Sequence, residues 1–229
     1  MNRSVIVMAA ISLLILSCEK DDEKKLIMQG DYPVKEYYLE RSPNVNVWGA
    51  GIDMIHAECK SEETTMDYEY LTLDSQFPFD IKFYTVKAYY SNNLGDIVSE
   101  GCPAMLLSGD VSACKIGEGV RFFDSLTVVT KDMLGSLRTE PAVDYEACKN
   151  NTDNYDRDLL FAAIDQCVIG RSFRSNVLVV PDGKTEQEVQ AVYLVKTKEG
   201  GYAKFMVKQF QGDKPKEKQT LVRWQVISE

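Results

Sequence analysis

The sequence predicts a mainly β protein: one antiparallel, sheet- or barrel-like domain with one or two short helices. Three observations predict it. Residues 79–90 alternate apolar and polar side chains with the two-residue period of a strand. About the last fifty residues read as three strands joined by turns. Helical spacing stands out at one place, where Leu159, Leu160, Ala163, Ile164 and Cys167 share a face.

The chain begins with a segment that reads as an address rather than as fold. Arg3 precedes a nearly apolar run, residues 5–16, which ends at Ile15-Leu16-Ser17-Cys18. Charge, apolar stretch and small residues in that order are the layout of an export signal. The run falls short of the roughly 20 residues that a membrane-spanning helix needs. A cysteine at the cleavage point resembles a bacterial lipobox, which implies lipidation of Cys18 and removal of residues 1–17. The plainer alternative is an ordinary signal peptide with a chance cysteine. Glu19-Lys20-Asp21-Asp22-Glu23-Lys24-Lys25 follows. It resembles the acidic export tag of surface lipoproteins from Gram-negative gut and oral anaerobes, and its low apolar content suits a solvated tether. Residues 18–30 are therefore expected to be lipidated cysteine and tether, and 31–229 to be one domain.

Within that domain, 32–39, 45–55 and 68–73 are strand candidates. In 79–90, Phe79, Ile81 and Phe83 carry the apolar phase first, and Val86, Ala88 and Tyr90 carry it afterwards. A one-residue slip exchanges the two faces of a strand, so a β-bulge or bend is expected near Tyr84–Thr85. Residues 91–96 form a loop by composition, and 120–130 are a further strand candidate. Asp153, Asn154 or Asp156 caps the helix, and Gly170 suits its end. The closing meander runs through 189–196, a turn at Glu199-Gly200-Gly201, and a strand with Ala203, Phe205 and Val207 inward and Lys204 and Lys208 outward. A charged loop at 212–218 leads to 221–227, where Val222, Trp224 and Val226 share a side.

The net charge of −9 becomes −10 once Arg3 leaves with the leader. Nucleic acid is a poor partner for such a chain, because binding it rests on Lys and Arg contacts to phosphate. Of six cysteines, Cys59, Cys102, Cys114, Cys148 and Cys167 remain after lipidation. That odd number leaves at least one thiol unpaired. Cys102 and Cys114, twelve apart in a Gly-containing stretch, could close a loop, but their spacing alone does not say so; buried inert thiols are an equal alternative. The sequence fixes neither pairing nor oligomeric state.

The final segment, Val192-Tyr193-Leu194-Val195-Lys196 through Gly200-Gly201-Tyr202-Ala203-Lys204-Phe205 to the strand ending at Val226, resembles the C-terminus of HmuY-like proteins. Phe79-Asp80-Ile81-Lys82-Phe83-Tyr84 is similar to an aromatic-Asp-apolar strand of the same family. The resemblance implies a haemophore-type β domain on an outer-membrane, cell-surface lipoprotein. It would capture haem and pass it to an outer-membrane haem transporter. It also implies two axial iron ligands on loops that fall here at about 130–150 and 178–190. Haem iron is held by His, Met, Cys thiolate or Tyr. The second loop, Pro181-Asp182-Gly183-Lys184-Thr185, has none of these, while the first offers Met133, Tyr145 and Cys148. Met133 and Cys148 are thus the candidate haem contacts, with ligation weakened or lost. For Met133 the alternative is packing against the sheet.

The one histidine, His56, lies near Asp53, Glu58 and Cys59. Strand alternation would put His56 with Glu58, and Asp53 with Cys59, splitting any metal cluster. A hydrogen-bonded histidine is the favoured reading. Adjacent aromatics such as Tyr37-Tyr38 point to opposite faces of a strand, so each pair contributes at most one ring to a stacking platform. With no Gly-x-Ser-x-Gly elbow and no phosphate loop, catalysis is not expected. The expected function is capture of haem or a related apolar ligand. The second reading is a haem-free binding or adhesion module for a glycan or partner lipoprotein.

Cys18→Ala should abolish membrane attachment, and fractionation of cells expressing each form checks it. A variant that still pellets with the outer membrane would overturn lipidation.

Overall fold

The computed structural model describes residues 25–27, 32–40, 47–64, 78–152, 154–174, 177–211 and 219–228. The leader, Cys18, the strand candidate at 68–73 and the charged loop at 212–218 lie outside them. The fold is mainly antiparallel β, as expected, but its strands divide between two facing sheets and there are four short helices among the described residues. The strands are β1 (Lys25–Ile27), β2 (Lys35–Glu40), β3 (Val47–Asp53), β4 (Glu58–Thr64), β5 (Ile81–Ser91), β6 (Ile97–Leu107), β7 (Ser112–Glu118), β8 (Val128–Thr130), β9 (Arg138–Thr139), β10 (Ala191–Lys196), β11 (Tyr202–Gln211) and β12 (Gln219–Ser228). The helices are α1 (Gly119–Ser125), α2 (Lys131–Gly135), α3 (Arg157–Ile164) and α4 (Glu186–Val189). One sheet has the order β2-β12-β11-β10-β7-β9, the other β4-β3-β5-β6, and β1 pairs with β8. Lys25–Ile27, inside the expected tether, thus joins the fold. No described helix is long and apolar enough to cross a membrane.

The core lies between the two sheets. Ile52, Ile81, Phe83 and Met105 from the four-stranded sheet meet Val195, Phe205, Val207, Val222 and Trp224 from the six-stranded one. The closing meander is present, with Val222, Trp224 and Val226 all buried. The Trp224 indole donates to the Met54 carbonyl at 3.2 Å, which satisfies its one polar atom across the sheets.

The bulge expected near Tyr84–Thr85 is absent: β5 pairs with β6 without a shift from Ile81↔Leu107 to Ser91↔Ile97. The apolar phase changes because both faces of β5 are covered, over different stretches. Ile81 and Phe83 face the other sheet, whereas Tyr84 and Ala88 pack beneath α3 with Tyr155, Leu160 and Ile164. The helix is capped as expected, Asp156 Oδ1 accepting the Asp158 and Leu159 amides at 3.0 and 3.1 Å. It ends at Ile164, well before Gly170.

Residues 120–130 are not one strand. Gly119, at φ +84°, ends β7 where a Cβ would press on the Glu188 carbonyl, and the chain turns into α1. Helical spacing then sets Val120 and the buried Phe123 on one side, against Val192 and Met206. This covering helix corrects a second expectation. Lys204 does sit on the face opposite Phe205, but α1 covers that face and Lys204 is only 2 % exposed. Its ammonium donates to the Phe123 and Leu126 carbonyls at 2.6 and 2.9 Å, where the last turn of α1 leaves acceptors unused. Burial lowers its pKa.

All five described cysteines are free. Cys102 and Cys114 close no loop, because they lie on the outer faces of different sheets.

Trp224→Ala should cost about 3–5 kcal/mol, lowering the melting temperature by about 10 °C at roughly 2–4 °C per kcal/mol. A shift within error would place the indole outside the core.

Burial raises the Asp80 carboxyl from 3.8 to about 6. The native state then holds this proton more tightly than the unfolded chain does. The resulting stabilisation is full below pH 3.8 and is lost as pH rises through about 6. Between pH 4 and 6, the urea midpoint of the parent should therefore fall relative to that of Asp80→Asn. Parallel profiles would show that Asp80 titrates normally.

Candidate functional site

β7 and β10 form the wall of a groove of about 410 Å³. Their register shifts between Val192 and Tyr193, so Ile116 is extra in β7 and Lys115 comes opposite Tyr193. Tyr193 points to the inner face, where its hydroxyl lies 2.8 Å from Ser172 Oγ. Ser172 donates its own proton to the Ile169 carbonyl at 2.7 Å, so Tyr193 must be the donor to Ser172. Burial pushes the Tyr193 phenol up, which keeps it neutral.

The segment from 177 to 184 crosses in front of this floor. Its start is fixed where the Val177 and Leu178 amides both donate to the Arg174 carbonyl, at 2.9 and 2.7 Å. Its end is fixed by α4, where Thr185 and Glu188 make a capping box. Between those ends Val177, Leu178, Val179 and Pro181 line the groove. Val179 is 83 % exposed, although no strand or helix requires it there. Lys115, Glu118 and Lys184 supply the charged part of the lining. Lys115 also meets Glu118 at 2.6 Å, with both side chains about half exposed, a pair worth little to stability.

This arrangement suits a ligand with an apolar body and acidic groups. Among the described residues, no His, Met or Cys lines the groove. Among the described lining residues no side chain pairs a nucleophile with a base.

The candidate haem contacts lie elsewhere and apart from each other. Met133 sits in α2, its amide held by the Thr130 hydroxyl at 3.3 Å. It packs half-buried against Cys114, Val129, Leu194 and Ile227. Leu194 alternates with Tyr193, so Met133 and the groove are on opposite faces of the six-stranded sheet. Cys148 lies in a 3-10 turn (Glu146–Cys148) on the outer face of the other sheet, with Tyr84, Ala88 and Tyr155. Its thiol donates to the Asp144 carbonyl at 3.3 Å, and burial pushes its pKa up, away from the thiolate that iron would need. Tyr145 is committed to Tyr84, with the hydroxyls 2.9 Å apart. The geometry does not bring Met133 and Cys148 to one ligand.

His56 departs from the strand rule because residues 54–57 form a turn. The turn reunites His56 with Asp53, Nδ1 and Oδ2 lying 2.9 Å apart, while Glu58 and Cys59 continue into β4.

The loop that the resemblance placed at about 178–190 does line the groove, but its wall from β7 and β10 was not anticipated from the sequence. The groove's one visible signal is Val177-Leu178-Val179-Val180-Pro181, an apolar run ended by proline and flanked by no strand alternation.

No family model matches the chain, and no curated protein matches it. Three solved structures are similar over most of its length, each at 13% identity. The apo HmuY analogue of Tannerella forsythia covers 87% of this chain with 98% of its own, at a TM-score of 0.39. A HmuY-like haem-binding protein of Bacteroides vulgatus covers 83% with 90% of its own, at 0.37. Apo PinO of Porphyromonas gingivitis covers 86% with 100% of its own, at 0.41. The first two of these are named for HmuY.

Proposed function

We propose that the protein is an exported, lipid-anchored binding protein that takes haem, or a related apolar ligand bearing carboxylates, in the β7–β10 groove without catalysis. The observation that carries this reading is the exposed apolar segment from Val177 to Pro181 facing a cleft that Lys115 and Lys184 also line. Exposed apolar surface over a concavity marks a binding site more often than it marks accident. Lys184 offers a charge partner for a propionate-like acid, and Lys115 a second one once it leaves Glu118.

Iron ligation is the weak part of the fit. Among the described residues, Tyr193 is the only haem-ligand residue type that reaches the groove, and it is buried, neutral and donating to Ser172. Haem would bind through its body and acids, and less tightly than with two matched axial ligands. Cys18 would hold the domain at the outer membrane, with the acidic tag directing it to the cell surface. There it would hand its cargo to a membrane transporter.

A second reading has its own observation. β2 and β4, the edges of the two sheets, border a cleft of about 470 Å³ where Tyr37 and Tyr38 stand 46 % and 52 % exposed. Open phenol rings beside the edge strand of a sheet suit a sugar ring or a partner strand. Glycan-array binding that is lost in Tyr37→Ala and Tyr38→Ala would favour it.

Haem titration of the purified protein tests the first reading. The expected spectrum is five-coordinate or loosely associated, not six-coordinate low-spin. Val179→Asp and Lys184→Glu should each weaken binding about tenfold, while Met133→Ala and Cys148→Ala leave it unchanged. A sharp low-spin spectrum lost in either of the last two would move the site to that residue. No spectral change at any haem concentration would leave the second reading.

A further inference from the structure

At one end of the two sheets, the β3–β4 turn meets the β10–β11 turn. Asp53, 3 % exposed, closes the first turn: one carboxylate oxygen accepts the His56 amide and the other lies beside His56 Nδ1, both at 2.9 Å. Glu199 comes from the second turn, far away in sequence. A ring nitrogen of His56 and one carboxylate oxygen each from Asp53 and Glu199 lie within 4.8 Å of one another. We propose that Asp53, His56 and Glu199 form a binding site for a divalent first-row transition-metal ion of the zinc type.

The donor set selects the ion class. Imidazole with two carboxylates suits zinc and its neighbours, whereas calcium and magnesium favour all-oxygen cages. Three protein donors leave a position for solvent, as in open zinc sites. His56 and Glu199 are exposed, so an ion can enter, while the buried Asp53 is already oriented. The donors are also braced from behind. Asp80, itself 1 % exposed, accepts the Met54 amide at 2.8 Å and the Lys198 amide at 2.9 Å. Each of those residues is the chain neighbour of a donor, Asp53 or Glu199. A single carboxylate therefore holds both turns in register, the kind of outer support that fixes metal ligands. Electrostatics point the same way. Asp53, Glu199 and Glu58 all favour positive charge at His56, whose pKa is raised first by its hydrogen bond to Asp53. A metal ion would take the place of that proton, and its positive charge would offset the crowding of Asp53, Glu199 and the nearby Asp80.

Calorimetric titration of the purified protein with ZnCl2 tests the site, using His56→Gln, Glu199→Gln and Cys59→Ser. The two exposed substitutions leave the core untouched, so melting temperatures without zinc should match the parent. One-site binding is expected, weakened at least tenfold in His56→Gln and in Glu199→Gln and unchanged in Cys59→Ser. At a hundredfold excess over Kd, zinc should raise the melting temperature by about 5–10 °C in the parent and not in His56→Gln. Unchanged affinity in both substituted forms, loss in Cys59→Ser instead, or no heat at millimolar zinc would each overturn the proposal.

Discussion

The Asp80 carboxylate joins the two sheets, and much of the structure depends on it. Its backbone donates to the Ile52 carbonyl at 2.7 Å and accepts the Ser108 amide at 3.1 Å. Its side chain takes the amides of Met54 and Lys198, one from each sheet's turn. A buried carboxylate is costly unless its oxygens are satisfied, and here two backbone donors converge on it. Met54 is the neighbouring element of the same joint. Its amide goes to Asp80 and its carbonyl takes the Trp224 indole, so β3, β5, β10 and β12 are all tied within a few residues.

What the sequence showed of the fold depended on how each strand is covered. The meander was legible because β11 and β12 present one clear apolar face to the core. β4, with Glu-Cys-Lys-Ser-Glu-Glu-Thr, gave no signal, because an edge strand gains its place from pairing with β3 rather than from burial. β6 was hidden for the opposite reason. Pro103, Ala104 and Met105 are all buried, so alternation vanishes. Lys204 shows the same gap between parity and exposure: its face was read correctly, but α1, which covers that face, was read as a strand.

The sites were less legible than the fold, because each is assembled from distant turns. Lys115, Ser172 and Tyr193 meet only once β7 pairs with β10 and the 170s fold across them. Asp53 and His56 are close in sequence, yet nothing local predicts Glu199. Met133 and Cys148 had donor chemistry but not position. Each fills an outer-face cluster that a helix or turn covers, and such covers leave little trace in strand periodicity.

If Cys18 carries a lipid, as proposed, the pairing of β1 with β8 sets an upper limit on its leash. Leu26 lies opposite Val129, so the chain is held to the domain from Lys25 on. Seven residue steps separate Lys25 from Cys18, and a chain of that length spans at most roughly 25 Å. With a lipid on Cys18, the domain could swing but not roam. It would stay within about its own diameter of the headgroups. A partner in the same membrane would then meet it at an effective concentration set by lateral diffusion and a short radius. Exchange of cargo on such a tether would be a two-dimensional encounter, limited by how the body tilts about β1 rather than by search through bulk solvent.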